Sequence, residues 1–231
     1  MIIGARFNGP PTSGNGGYTA GLIASYLDGP AVVTLRRPPP LEAELIVSRS
    51  HGTVEVTRHG DLVASAVAWP SGPAEPLTAP VSYVDAVRAS LGYPGFAAHP
   101  FPSCFVCGPE REPGDGLRLF PGRVSEGRVA APWVVPVDVS PAMVWAALDC
   151  PGGWAVPMEA RPYVLGRIAA RVLFVPHPGE ECVVVGELRG EEGRKAHSAT
   201  TLFGPTGAVL AHAASTWIAI ATSSVSTGRP V

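Results

Sequence analysis

The strongest constraint on the fold is a repeated order of elements, because a chain that runs the same plan twice must fold as two like halves. The first half opens with a strand expected over residues 2–8 and a Pro/Gly-rich loop over 9–15. Residues 17–27 are then small and apolar on all sides, as a buried helix is, until Asp28-Gly29-Pro30 stops them. Four strands are expected next, over 31–37, 42–49, 53–59 and 61–69, with His59-Gly60-Asp61 as a hairpin turn.

The second half repeats the plan. Short strands are expected at 117–120 and 128–131, before a helix that starts at Ser140-Pro141. Serine suits the N-cap and proline the first helical position. The helix is expected to end at Asp149, before Pro151-Gly152-Gly153. Four strands follow again, over 166–175, 182–189, 195–203 and 208–220, and Gly204-Pro205-Thr206-Gly207 stands where the first half has His59-Gly60-Asp61.

A buried helix followed by a four-stranded antiparallel run is the plan of a hot-dog fold, here in tandem and of the α+β class. The expected division is 1–70 for the first unit, 71–102 for a linker with a short helix over 82–91, 103–222 for the second unit and 223–231 for a flexible tail. A single hot dog leaves a sheet edge that needs a partner, and the fused second unit supplies it. Further pairing of two such chains as a homodimer is left open.

Composition narrows the function classes. Only 16% of the 231 residues are charged and the net charge is −2, so no basic stripe exists to neutralise nucleic-acid phosphates. No apolar run approaches the length of a membrane span and no charged leader precedes one, so a cytoplasmic protein is expected. The four cysteines, Cys104, Cys107, Cys150 and Cys182, are spread too far for a disulfide framework. Cys104-Phe105-Val106-Cys107 has zinc-knuckle spacing, but no second pair follows, and a four-ligand site would have to recruit both distant cysteines. The motif is read first as a structural turn and no metal is assigned; metal binding and redox chemistry remain the other readings.

At the level of motifs the chain resembles the fused double-hot-dog branch of hot-dog acyl-CoA thioesterases. Cys104-Phe105-Val106-Cys107-Gly108 followed by Gly116-Leu117-Arg118-Leu119-Phe120 looks like the CxxCG…GL.L.F entry of bacterial members. Asn8 with Asn15-Gly16-Gly17 is similar to the Asn…His-Gly-Gly of phenylacetate-type thioesterases, with Asn15 in place of the histidine. The resemblance implies a substrate carbonyl aimed at the helix N-terminus after Gly-Gly, where unpaired N–H groups stabilise an oxyanion. It also implies a carboxylate nine residues beyond the histidine position on the partner helix.

Nine residues after Asn15 stands Ala24, which has no chemistry; nine after Ser140 stands Asp149. The two halves therefore complement each other. One competent site is expected, from Asn8, Asn15, Gly16 and Gly17 of the first half and Asp149 of the second as base or nucleophile. The mirror site, Ser140-Pro141 facing Ala24, is expected to be dead. Trp145 is a candidate wall of the acyl pocket, and Arg194 and Lys195 are candidate contacts for the phosphates of coenzyme A, which enters only as part of the substrate, acyl-CoA or another acyl thioester.

No Gly-x-Ser-x-Gly elbow, no phosphate loop and no Asp-x-x-x-x-His hydratase pair is present. Two readings remain: a thioester hydrolase, and a non-catalytic acyl-thioester or fatty-ligand binder, which Asn15 and Ala24 favour.

Overall fold

The structure, a computed structural model, describes residues 1–70, 77–158 and 161–220. The expected tail at 223–231 and residues 71–76 of the expected linker lie outside the described residues. Among the described residues three α-helices are found, α1 (Gly16–Ala24), α2 (Tyr83–Leu91) and α3 (Pro141–Trp154). Ten strands accompany them: β1 (Ala31–Leu35), β2 (Ile46–Ser50), β3 (Thr53–Arg58), β4 (Asp61–Ala68), β5 (Gly122–Ser125), β6 (Arg128–Val134), β7 (Tyr163–Val172), β8 (Glu181–Glu192), β9 (Lys195–Phe203) and β10 (Val209–Ala219).

All ten strands join one antiparallel sheet in the order β2-β3-β4-β1-β7-β10-β9-β8-β6-β5. The duplication is visible in that order. After α1 the strands lie as β2-β3-β4-β1, and after α3 they lie as β8-β9-β10-β7, the same arrangement approached from the other side. The halves meet where β1 pairs with β7, from Ala31 opposite Ala170 to Thr34 opposite Arg167. Each half thereby covers the other's open edge. Tight turns fix the register of the first half. His51-Gly52 and His59-Gly60 both have positive φ at two successive residues, the twist that a two-residue hairpin needs.

The sheet wraps around α1 and α3, whose side chains are buried on nearly every face. They pack against each other in opposite directions, at backbone range. A Cβ on Gly17 would lie 2.5 Å from the Asp149 Cβ and 2.6 Å from the Trp145 carbonyl oxygen. One on Gly21 would lie 2.7 Å from the Ala142 Cα. Glycine at both positions lets the helices touch, and this contact brings the two halves' chemistry together.

Four sequence expectations are corrected. Residues 2–8 form no strand; Ala5–Phe7 is a 3-10 turn, and the segment is tied to the body by Glu42 N–H to Ile3 and Leu45 N–H to Met1. The strand expected from residue 42 begins only at Ile46, because Glu42 adopts a φ of 52° that breaks the extended run after three prolines. Residues 117–120 form no strand either: Arg118 has a φ of 51°, and Leu117 and Leu119 donate to the carbonyls of Phe105 and Val106. The chain pairs instead at β5 and β6.

The fourth correction is to α3, which does not end before Pro151 but continues to Trp154. Proline removes one backbone donor and disfavours a helix interior. Packing overrides this here: the last turn is buried, and Gly152 and Gly153 fit tightly against Ser198, Thr200 and Trp217.

Candidate active site between the halves

Asn15 caps α1 with its side chain, the Oδ1 accepting from the Tyr18 N–H at 2.8 Å. That leaves the Nδ2 to point across to α3, where it donates to Asp149 Oδ2 at 3.0 Å. The Gly17 N–H donates to the same oxygen at 2.9 Å. Asp149 therefore sits inside a helix, buried to 2% exposure, with one carboxylate oxygen held by the N-terminus of a different helix. The positive end of α1 compensates for the unfavourable position of a carboxylate in the latter part of α3.

The other oxygen, Oδ1, has no hydrogen-bond partner among the described residues. An orphaned buried acceptor is costly and marks a place where a ligand, a water or a proton is expected. Burial pushes the Asp149 carboxyl up to about 7, against the opposing pull of the Gly17 and Asn15 donors. A group with that value can both accept and release a proton near neutrality.

A cavity of about 440 Å³ opens beside Asp149 and is lined from both halves. Its walls are mostly apolar, with Phe101, Trp154, Met158, Leu165 and Trp217 among them. Gly16 also lines it, and the Gly16 N–H has no acceptor among the described residues. The expectation of free donors at the α1 N-terminus needs correcting for Gly17, whose N–H is taken by Asp149, and for Tyr18, whose N–H is taken by the cap. Gly16 is the donor that remains.

The other candidates are placed differently. Asn8 is buried, but its amide donates to Gly9 and Ser103 at 3.1 and 3.2 Å and its carbonyl accepts from Arg111, so it pins the loop before α1 and does not line the cavity. Trp145 packs against Gly21 at the helix crossing, also off the cavity; the tryptophan that α3 brings to the wall is Trp154, carried there by its extra turn. Arg194 and Lys195 are exposed at the β8–β9 turn and do not line it. The cations that line it are the exposed Arg36 and Arg37, which follow β1; Arg37 also pairs with Asp61 at 3.1 Å. A pair of arginines running into Pro38-Pro39-Pro40 was the available signal. At the mirror position Ser140 is spent on the cap of α3, accepting from Met143 at 3.3 Å.

Cys104 and Cys107 do form a turn, closed by the Gly108 N–H on the Cys104 carbonyl at 2.9 Å. They are not isolated, however: α3 delivers Cys150 to them, and the three buried thiols lie within 4.8 Å of one another in the cavity wall. Cys182 stays apart on β8.

No protein-family model matches the chain, and no curated protein does. Solved structures do. A protein provisionally named a thioesterase, from Novosphingobium aromaticivorans DSM 12444, is 15% identical, with 96% of this chain and 94% of that one covered at a TM-score of 0.62. A conserved hot-dog-fold protein of unknown function from Alicyclobacillus acidocaldarius is 16% identical over 94% and 91% of the two chains, at 0.61. The tesB protein of Mycobacterium avium subs paratuberculosis is 11% identical over 92% and 89%, at 0.58. Likeness over nearly the whole of both chains establishes the architecture: this chain is a double hot dog, with the fold of structures named as thioesterases.

Proposed function

We propose that the chain hydrolyses an acyl thioester, an acyl-CoA, at a single site between its two halves. The observation that carries this reading is the Asp149 carboxylate, with one oxygen fixed by the α1 N-terminus and the other unpaired beside an apolar cavity. The acyl chain lies along the apolar wall, and its carbonyl oxygen meets the Gly16 N–H. Asp149 Oδ1 takes a proton from a water that attacks the carbonyl carbon. The tetrahedral oxyanion is held by the Gly16 N–H and the positive end of α1, and collapse expels the thiolate. Arg36 and Arg37, exposed residues of the cavity lining, would meet the phosphates of a coenzyme A tail.

One observation favours the competing reading, an acyl-thioester binder without turnover: the Gly17 donor is occupied by Asp149, leaving a single backbone N–H for the oxyanion. Free thiol release from a panel of acyl-CoA substrates of increasing chain length separates the two. Turnover of at least one acyl-CoA supports the hydrolase; saturable binding without release of thiol supports the binder and refutes the hydrolase.

A further inference from the structure

Hydrolysis by Asp149 leaves its neighbours without a role. In the same cavity wall, the Cys104 and Cys150 sulfurs are 3.8 Å apart, and Cys107 completes a triangle of thiols within 4.8 Å. Around a tetrahedral zinc ion with Zn–S bonds of about 2.3 Å, neighbouring sulfurs stand about 3.8 Å apart. We propose that Cys104, Cys107 and Cys150 bind one zinc ion as three thiolates in the cavity wall, with the fourth coordination position open to the cavity. This inference does not depend on the hydrolase reading.

The surroundings fit thiolates better than thiols. A neutral thiol is a weak acceptor and needs few donors. Here the Trp154 indole N–H is aimed at Cys107 at 3.4 Å, and the Asn15 amide at Cys104 and Cys150 at 3.9 and 3.8 Å. The Cys104–Gly108 knuckle is closed by the Gly108 N–H on the Cys104 carbonyl at 2.9 Å. Gly108 permits the knuckle, since a Cβ there would lie 2.4–2.6 Å from the Pro102 carbonyl and the Cys104 backbone.

His99 is a supporting donor and not the fourth ligand. Its Nδ1 accepts the Phe101 N–H at 2.8 Å, which places the proton of the neutral ring on Nε2, and Nε2 faces Cys107 at 3.4 Å. A nitrogen carrying that proton donates to a thiolate and cannot ligate. The soft, three-sulfur set selects a thiophilic ion such as zinc over magnesium or calcium. Because all three cysteines line the cavity, a ligand atom or a solvent molecule there completes the coordination.

The test is metal analysis of the whole purified chain, reduced, offered equimolar zinc and dialysed against metal-free buffer. About one zinc per chain is expected to remain. Cys104→Ser and Cys150→Ser are each expected to lose it, whereas Cys182→Ser keeps it. Should those variants fail to fold, the unmodified protein still decides. Blocking its thiols with a mercurial is expected to release one equivalent of zinc to a metal-binding dye, and cobalt substitution to give a thiolate-to-metal charge-transfer band. Folded, reduced protein that retains no zinc overturns the proposal. So does a Cys104–Cys150 disulfide found in protein alkylated directly on isolation.

Discussion

At the residue scale, the site depends on two glycines and an asparagine with two jobs. Gly17 has no room for a side chain, because its Cβ would overlap both Asp149 and the Trp145 carbonyl. Gly17→Ala is therefore expected to lower stability by about 1–3 kcal/mol or more, as overpacking does, and to be read as a fall in the denaturant midpoint. Asn15→Ala removes a helix cap and a partner of the carboxylate together, and is expected to cost about 1 kcal/mol along with part of the turnover. Asn15→Ser separates these: the hydroxyl restores the cap and most of the stability but not the reach to Asp149. Full recovery of turnover by the serine variant would show that Asn15 acts only as a cap. The nine-residue spacing pointed to Asp149, and the likeness of Asn15-Gly16-Gly17 to His-Gly-Gly pointed to the glycine entrance. Asn8, Arg194 and Lys195 were placed by the resemblance and Trp145 by residue type, and neither says which way a side chain points. The cysteine cluster stayed hidden because only tertiary packing brings Cys150 to a motif 43 positions away.

At the element scale, the helices and most strands were legible because burial imprints them: α1 and α3 lack polar faces, and their starts carry the side-chain caps Asn15 and Ser140. The failures are places where backbone conformation contradicts an apolar pattern, at Glu42 and Arg118 with positive φ, and where packing contradicts a breaker, at Pro151. The last turn of α3 is held by β8, where a Cβ on Gly186 would meet the Pro151 carbonyl oxygen at 2.1 Å and the carbonyl carbon at 2.5 Å. Both are backbone atoms, so nothing flexible can yield. Gly186→Ala is expected to displace the turn that carries Trp154, costing about 1–3 kcal/mol or more and altering the near-UV signal of the buried tryptophan. An unchanged spectrum and midpoint would mean that this contact is not tight in solution.

At the scale of the whole molecule, the β1–β7 pairing and the α1–α3 crossing make two halves into one body with a shared cavity. Such a joint predicts one cooperative unfolding transition, with calorimetric and van't Hoff enthalpies in agreement; two separated transitions would show halves that are stable alone. In the site we propose, one of the two pseudo-equivalent positions carries the polar groups, while at the other Ser140 is spent on the α3 cap. The first half contributes the donors of Asn15, Gly16 and Gly17, and the second contributes Asp149, so neither half holds a complete site. The most direct measurement is acyl-CoA hydrolysis by the unmodified protein beside Asp149→Asn, with folding checked by circular dichroism and binding by calorimetry. The account predicts that the variant folds and binds the acyl-CoA but turns it over about 100-fold more slowly or worse, the scale of a lost general base. Equal rates in the two proteins would contradict it.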